Sequence, residues 1–179
     1  MPEILDALLA CPPAVFTMQT RGPLILRDLD QLLLLSRRTR LRVSFSVTTD
    51  RDAVRRLYEP HCAPMDERFE VISRLNGAGI DAHATLAPIL PCDAGHLLDL
   101  AMAASPHAII ADPLHLRERK PMGATTREQS FRIAAHHHHE DWFRAGFQDR
   151  ILATMKDRAA ACGRQFGFGP EAFAWLSQT

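Results

Sequence analysis

Cysteines are few in this sequence, and they form no recognisable metal-binding motif. The four cysteines stand at positions 11, 62, 92 and 162, so no CxxC or CxxxCxxC group occurs. Zinc and iron–sulfur sites usually take at least some of their ligands from such close pairs. Since the sequence also shows no secretion signal, we expect reduced thiols in a cytoplasmic protein.

Several other features are also missing. No apolar run approaches the roughly 20 residues that a membrane-spanning helix needs, and the first residues, MPEILDALLACPPAV, lack the basic start of a signal peptide. The formal net charge is zero, which argues against binding nucleic acid or a membrane surface through bulk electrostatics. There is no glycine-rich phosphate loop, nucleophile elbow or zincin pair. We therefore expect no membrane association.

The clearest strand signal is the stretch LRVSFSVTTD, residues 41–50. Leu41, Val43 and Phe45 alternate with polar residues, and the stretch ends in hydroxyl groups before a predicted helix. Ligands of α/β proteins bind at the carboxyl ends of strands, so this end is a candidate site. The alternative is that the hydroxyls only cap the next helix and bond to nearby backbone.

Strand and helix signals alternate along most of the chain. At 179 residues with 46% hydrophobic content, the sequence is long enough for one domain with a substantial core. Four strand–helix units in succession imply parallel strands, so we predict an α/β fold. Specifically, we predict a partial (β/α) barrel over residues 14–113 and a loop and helical extension over residues 114–179, within a single domain. The predicted strands are 14–20, 41–48, 80–90 and 108–111, with helices at 3–11, 28–37, 52–58, 66–75, 94–104 and 141–161. A glycine in the segment 76–79 is expected to end the helix at 66–75 in a left-handed conformation. Residues 117–132 are predicted as a polar loop with helical turns, residues 163–169 as a glycine-rich break, and residues 170–176 as final helical turns.

Five segments together resemble a known family. They are TRGPLILRDLDQL, RVSFSVTTD, YEP, DERFEVISRLNGAGID and ATLAPILP, and they lie between Val15 and Pro113. Their order and spacing resemble the second half of radical SAM proteins of the spore photoproduct lyase type. The resemblance implies a TIM-type barrel and lyase chemistry. In that chemistry a reduced four-iron–four-sulfur (4Fe-4S) iron–sulfur cluster cleaves S-adenosyl-L-methionine, and the adenosyl radical abstracts hydrogen from the substrate.

The resemblance also implies that a part is missing. The family binds its cluster through a CxxxCxxC loop after the first barrel strand, and no such loop occurs in this chain. We therefore expect the chain to correspond to the carboxyl-terminal part of the barrel and to be inactive alone. Unpaired strand edges predict self-association or a partner chain that supplies the missing strands. Nucleic acid is a possible partner by family analogy only.

Particular residues acquire roles through the resemblance. Arg21 takes the place of a lysine that contacts the carboxylate of S-adenosylmethionine, and Ser44, grouped here with Ser46, takes that of a serine that contacts the same cofactor. Ala87 and Pro88 would approach its adenine. The alternatives are a surface arginine, an interior hydroxyl bonded to backbone, and a strand stopped by proline.

Two charged residues within the resemblance predict structure rather than chemistry. Glu59 and Arg68 match its Glu-Pro and helix positions, and we predict an ion pair between them on the helix face. A basic cluster at the start of the second strand predicts a solvated rim; its members are Arg37, Arg38, Arg40 and Arg42.

Histidines offer further candidates. The run His136–His139 precedes Glu140 and Asp141, and imidazoles bind transition metals. Adjacent histidines point in different directions, so we interpret the run as a solvated loop. His83 in the third strand predicts an interior histidine. Two functional alternatives stay open besides the radical SAM interpretation: a non-enzymatic binding or scaffold module, and a metal-binding protein that uses the histidine run.

Overall fold

The computed structural model describes residues 2–114 and 128–178 and shows an α/β fold built on one parallel sheet. Five strands follow one another in chain order, and each pairs in parallel with the next. This sequential order is that of a (β/α) barrel, so the fold is a partial barrel with a carboxyl-terminal extension. The strands are β1 (Val15–Thr20), β2 (Arg40–Ser46), β3 (Asp81–Leu86), β4 (Ile109–Ala111) and β5 (Phe166–Phe168).

Helices connect the strands and complete the extension. The α-helices are α1 (Pro2–Ala10), α2 (Leu29–Ser36), α3 (Asp52–Tyr58), α4 (Met65–Gly77), α5 (Ala94–Ala104), α6 (Glu128–His137), α7 (Ala145–Ala161) and α8 (Gly169–Ala174). In the described parts of the chain, short 3-10 helices lie at Pro23–Asp28, Glu140–Phe143 and Trp175–Ser177. No helix among the described residues combines the length and the apolar character needed to cross a membrane.

The two faces of the sheet differ in chemistry. On the outer face Val43, Phe45 and Ala84 are fully buried against the helices. Because neighbours in register share a face, Ser44 of β2 lies beside Gln19 of β1 and His83 of β3 on the other face. That second face is concave in a barrel, and here it is largely polar. It includes Thr17, Gln19, Arg42, Ser44, Ser46, His83 and Thr85.

The extension returns to this concave face. β5 pairs with β4, and α8 with its following 3-10 helix packs on Ile110 through Ala172 and Leu176. Arg42 is buried and donates to carbonyl oxygens of the last residues. The prediction of a solvated basic rim is therefore wrong for Arg42, although Arg37, Arg38 and Arg40 are exposed.

Most elements predicted from the sequence are present. The four predicted strands correspond to β1–β4, and the final helical turns predicted after Pro170 correspond to α8 and the last 3-10 helix. β5 was not predicted, because residues 163–169 were interpreted as a glycine-rich break. The polar segment at 117–132, predicted as a loop with helical turns, lies partly outside the described residues, and from Glu128 onward it is helical.

Candidate ligand-binding cleft

A cleft of about 650 Å³ lies at the carboxyl ends of the strands. Arg21 follows β1 directly, and Pro88 lies two residues after β3; both line the cleft. Clefts at this edge are where (β/α) proteins bind their ligands. The remaining lining residues are Leu57, Tyr58, Glu59, Pro60, His61, Cys62, Leu90, Leu114, Gln129, Ser130 and Ile133.

Glu59 is the centre of a hydrogen-bond network at the cleft wall. Its Oε1 accepts from Arg21 Nη1 at 2.5 Å, and its Oε2 accepts from Arg68 Nη2 at 2.9 Å. The hydroxyl of Thr48, two residues past β2, donates to the same Oε2 at 2.8 Å. The network therefore ties the ends of β1 and β2 to α3 and α4, and the predicted ion pair of Glu59 with Arg68 is confirmed.

The network is buried on one side and open on the other. The Arg68 side chain is 0% exposed and that of Glu59 8%, whereas that of Arg21 is 46% exposed. Arg68 Nη1 also donates to the carbonyl of Ser46 at 3.5 Å, while its buried Nε has no hydrogen-bond partner among the described residues. Two guanidinium groups and one carboxylate give a formal charge of +1, so the cleft favours an anionic ligand group.

Local sequence explains why Glu59 faces the cleft. α3 ends at Tyr58, and the amide of Glu59 still donates to the Arg55 carbonyl at 2.7 Å. Pro60 has no amide hydrogen and cannot continue the helix, so the chain turns immediately after Glu59. Arg68 lies on the inner face of α4 in the first turns of that helix, opposite this turn.

Another arginine, Arg55, holds the turn that carries Glu59. Arg55 binds both carboxylate oxygens of Asp52, at 2.8 and 3.1 Å, and donates to the Cys62 carbonyl at 2.9 Å. Hydrogen bonding from the Arg55 guanidinium lowers the pKa of the Asp52 carboxyl group. The ion pair of Arg55 with Asp52, together with the hydrogen bond to the Cys62 carbonyl, therefore restrains the turn after α3.

The residues assigned by resemblance are not all in one place. Arg21 and Pro88 line the cleft, and Pro88 follows a cis peptide bond from Ala87. Ser44 is 1% exposed, and its hydroxyl lies 2.7 Å from that of Thr85 across β2 and β3. Ser46 and Ala87 are half-buried and are not among the lining residues. The geometry therefore brings Arg21 and Pro88 together and leaves the serines on the concave sheet face.

The far wall of the cleft comes from α6 and α3. Tyr58 Oη, at the end of α3, lies 3.3 Å from Nδ1 of His139, which follows α6 two residues after its last residue. Burial raises the pKa of Tyr58 to about 12, and burial also lowers the pKa of His139. Tyr58 is therefore a neutral hydrogen-bonding group at physiological pH.

The histidine run is split by the end of α6. His136 and His137 lie in its last turn, and His138 adopts a positive φ of 56° in the turn that follows. All three are exposed. Within residues 2–114 and 128–178, no three histidine, cysteine or acidic side chains form a group that could hold a metal ion.

The cysteines do not provide a cluster site. Cys11 and Cys162 are exposed, Cys62 lines the cleft, and Cys92 is buried, where burial raises the pKa of its thiol. Cluster binding needs several thiolates converging on one point, and these four belong to no such group. Among the described residues, the four cysteines therefore do not fit a four-iron–four-sulfur cluster.

The hydroxyl-rich end of residues 41–50, which contains Thr48, was a candidate site from the sequence, whereas the 58–62 turn was not identified as part of the cleft. The signal for the turn was present, because the Glu59-Pro60 pair marks a helix stop. Only the fold shows that these two signals meet at one carboxylate. The contribution of α6 to the cleft wall had no sequence signal that we can identify.

The fold and cleft define an α/β partial barrel with an anion-favouring site at its carboxyl edge. No protein-family model matches the chain, and no solved structure matches it. The chain is similar to curated proteins of Mycobacterium bovis and of two Mycobacterium tuberculosis strains, each described as uncharacterized. Each is 29% identical over 123 residues, covering 65% of this chain and 36% of the relative. The alignment therefore spans about a third of the length of those relatives, and it assigns no activity to this chain.

Proposed function

We propose that this chain is a radical SAM-like protein, similar to spore photoproduct lyase, that binds S-adenosyl-L-methionine in the cleft. The supporting observation is the Arg21–Glu59–Arg68 network, which carries a formal charge of +1 at the carboxyl edge of the sheet. The carboxylate of the ligand complements that charge. Arg21 is the half-exposed member and so is the group that reaches the ligand.

Each neighbour of Arg21 has a defined part in this proposal. Glu59 holds Arg21 Nη1, which orients the remaining guanidinium N–H groups, and buried Arg68 compensates the Glu59 charge. An apolar wall completes the cleft and suits the flat nucleoside part of the ligand; it is formed by Pro88, Leu90 and Leu114.

The proposal assigns binding, and not cleavage, to these residues. In the family that the chain resembles, a reduced iron–sulfur cluster supplies the electron that cleaves S-adenosylmethionine. The four cysteines here do not fit that cluster, so lyase activity requires ligands from elsewhere. What this chain contributes is the orientation of the cofactor carboxylate and an apolar surface beside it.

Isothermal titration calorimetry with two nucleosides tests the proposal. S-adenosylmethionine carries a carboxylate, and 5′-methylthioadenosine has none. We expect Arg21→Ala to weaken S-adenosylmethionine binding roughly tenfold or more, since a charge-assisted hydrogen bond contributes about 1.5–3 kcal/mol. Binding of 5′-methylthioadenosine should stay unchanged in the same variant.

Arg158→Ala is the matched control. Arg158 pairs with Asp99 at 2.5 Å and is 50% exposed, much like Arg21, but it does not line the cleft. Equal losses in the two variants would show that the effect is not specific to the cleft. Absence of any binding by the unmodified chain would overturn the proposal.

A non-enzymatic binding or scaffold module is the second candidate. It is favoured by the Ser44–Thr85 hydrogen bond, because a buried hydroxyl that is already paired needs no ligand. The two candidates differ in one result: the scaffold module would bind neither nucleoside, with or without Arg21.

A further inference from the structure

Residues 166–178, here termed the closing segment, cover the concave face of the sheet. The segment consists of β5, α8 and the last 3-10 helix. The Thr17 hydroxyl of β1 donates to the Leu176 carbonyl at 2.7 Å, although the two residues are 159 positions apart in sequence. The segment therefore extends from the β4 edge of the sheet across to β1.

Arg42 holds this segment from the middle of the sheet. Its Nη1 donates to the carbonyls of Trp175, Leu176 and Gln178, at 2.9, 2.9 and 2.7 Å. Burying a guanidinium is costly unless its donors are satisfied, and here backbone carbonyls satisfy Nη1. Because β2 is a central strand, the contact fixes the segment over the sheet and not at its rim.

A glycine makes the close packing of the segment possible. Gly167 of β5 lies against the ring of Trp175 and the Cβ of Ala172, and a Cβ added at Gly167 would overlap both. Ile110 of β4 packs on Ala172 and Leu176 from the neighbouring strand. The segment is thus fitted to the sheet by shape as well as by hydrogen bonds.

We infer that the closing segment takes the place of the strands that would complete the barrel, and that Arg42 latches it there. β5 occupies the free edge of β4, and α8 with the final 3-10 helix occupies the concave face. An open parallel sheet with a bare face and edge pairs readily with another chain. While the segment is docked, the chain is monomeric; its release exposes the face and edge, and copies of the chain associate.

This inference is independent of the proposed function, since it concerns the middle of the sheet and not the cleft. It also means that the self-association expected from the sequence occurs only after the closing segment is released. A partner that adds strands at the β4 edge must first displace residues 166–178, because both compete for that edge.

Hydrogen exchange and sedimentation of Arg42→Ala test the latch. We expect amide exchange of residues 166–178 to rise about tenfold or more, which corresponds to losing roughly one charge-assisted hydrogen bond. Amides of α4 and α5 should keep their protection. Sedimentation velocity should show a monomer for the unmodified chain and concentration-dependent association for the variant. Arg42→Lys keeps a donor and should restore part of the protection.

Gly167→Ala provides a second route to release without altering β2. The added methyl group must push Trp175 away, so the same amides should lose protection and the same association should appear. Gly77→Ala is the matched control, because no atom lies within 4 Å of its added Cβ. Unchanged exchange of residues 166–178 in Gly167→Ala would overturn the inference.

The unmodified chain gives a test that needs no variant. In low concentrations of urea, the amides of residues 166–178 should open as one unit before those of β2 and β3. Simultaneous opening with β2, or association of the unmodified chain as strong as that of Arg42→Ala, would contradict a separable latch.

Discussion

Arg68 is the residue on which the carboxyl edge of the sheet depends most. Within the part of the chain that the structure describes, it is the largest fully buried side chain, and the carboxylate that balances its positive charge is that of Glu59. Buried ion pairs cost desolvation energy when they form, and removal of one partner leaves the other uncompensated. The pair therefore fixes the position of Glu59 more than it adds net stability.

Arg68→Ala should lower the free energy of unfolding by about 3–5 kcal/mol, because it leaves a cavity and an underpaired buried carboxylate. Urea unfolding followed by circular dichroism measures this. Arg68→Met combined with Glu59→Gln should recover part of the loss, since neither charge is then buried. The exposed pair Arg158–Asp99 is the control, and Arg158→Ala should cost far less than Arg68→Ala because solvent screens an exposed ion pair. Equal costs for Arg68→Ala and Arg158→Ala would contradict the role given to Arg68.

Histidine burial makes stability depend on pH. His83 is buried on the concave face, stacks on His107 at 4.8 Å and lies 3.1 Å from the Ala108 carbonyl, so the predicted interior histidine is confirmed. Burial lowers the pKa of both histidines, with Asp81 opposing the shift and Arg42 adding to it. The folded protein thus keeps both imidazoles neutral at pH values where the unfolded chain binds protons.

Stability should therefore fall as the pH drops from about 7 through the unfolded histidine pKa of about 6.5, because unfolding takes up protons in that range. The decrease should end once the folded-state imidazoles protonate as well. Urea midpoints at pH 7.5 and 5.5 give the slope, and His83→Asn should flatten it. His139 contributes with the same sign, since its pKa is also lowered. A slope unchanged in His83→Asn would refute the assignment.

At the scale of elements, the sequence was informative wherever periodicity was long enough. Alternation over seven residues identified β2, and helical spacing of Ile72 and Leu75 identified α4. β5 has only three residues and two glycines beside or within it, so no period can be recognised. Its formation depends on the free edge of β4, which is tertiary information.

The burial of Arg42 could not be predicted from the sequence either. Arg42 follows Arg37, Arg38 and Arg40, and the sequence gives no reason to treat it differently. Arg42 differs from these arginines in two ways. It lies on the concave face of an interior strand, and backbone carbonyls more than 130 residues away accept its hydrogen bonds. For the cleft, Arg21 and Pro88 were identified by resemblance, whereas the meeting of Thr48 with Glu59 required the fold.

The end of α4 offers a pair of glycines with opposite expected responses. Gly79 has a φ of 89°, which confirms the predicted left-handed helix end, and Gly77 closes the helix; an added Cβ meets no atom at either position. Gly79→Ala should destabilise the protein by about 1 kcal/mol through backbone strain alone. Gly77→Ala should stabilise it by about 0.5 kcal/mol. Thermal unfolding measures both, and shifts of the same sign would contradict this explanation.

At the scale of the whole molecule, the sheet separates two environments. Its outer face supports the apolar core with the helices, as in a complete barrel. The inner face of a complete barrel is packed with branched apolar side chains, but here hydroxyls, a histidine and an arginine occupy it. The molecule therefore needs a polar cover, and backbone carbonyls of the closing segment provide one.

Two tryptophans report separately on the helical core and on the closing segment. Trp142 is buried in the helical core beside Phe147, and Trp175 lies in the closing segment. The single variants Trp142→Phe and Trp175→Phe each keep one tryptophan as a fluorescence reporter. The fluorescence transitions of these two in urea should coincide, because the partial opening of the closing segment that hydrogen exchange detects is too sparsely populated to change the fluorescence while Arg42 is present. With Arg42→Ala added, the Trp175 signal should change at lower urea than the Trp142 signal. Coincidence in that background would show that Arg42 does not govern the segment.

The long reach of Arg42 has a consequence during synthesis on the ribosome. The arginine and its carbonyl partners are 133 to 136 residues apart. At about 5–20 residues per second, Arg42 is made roughly 7–27 s before those carbonyls exist. From the completion of β4 until residues 175–178 are made, the nascent chain carries an uncovered sheet face and a cation without its carbonyl partners. This is the period in which a chaperone would have most to protect.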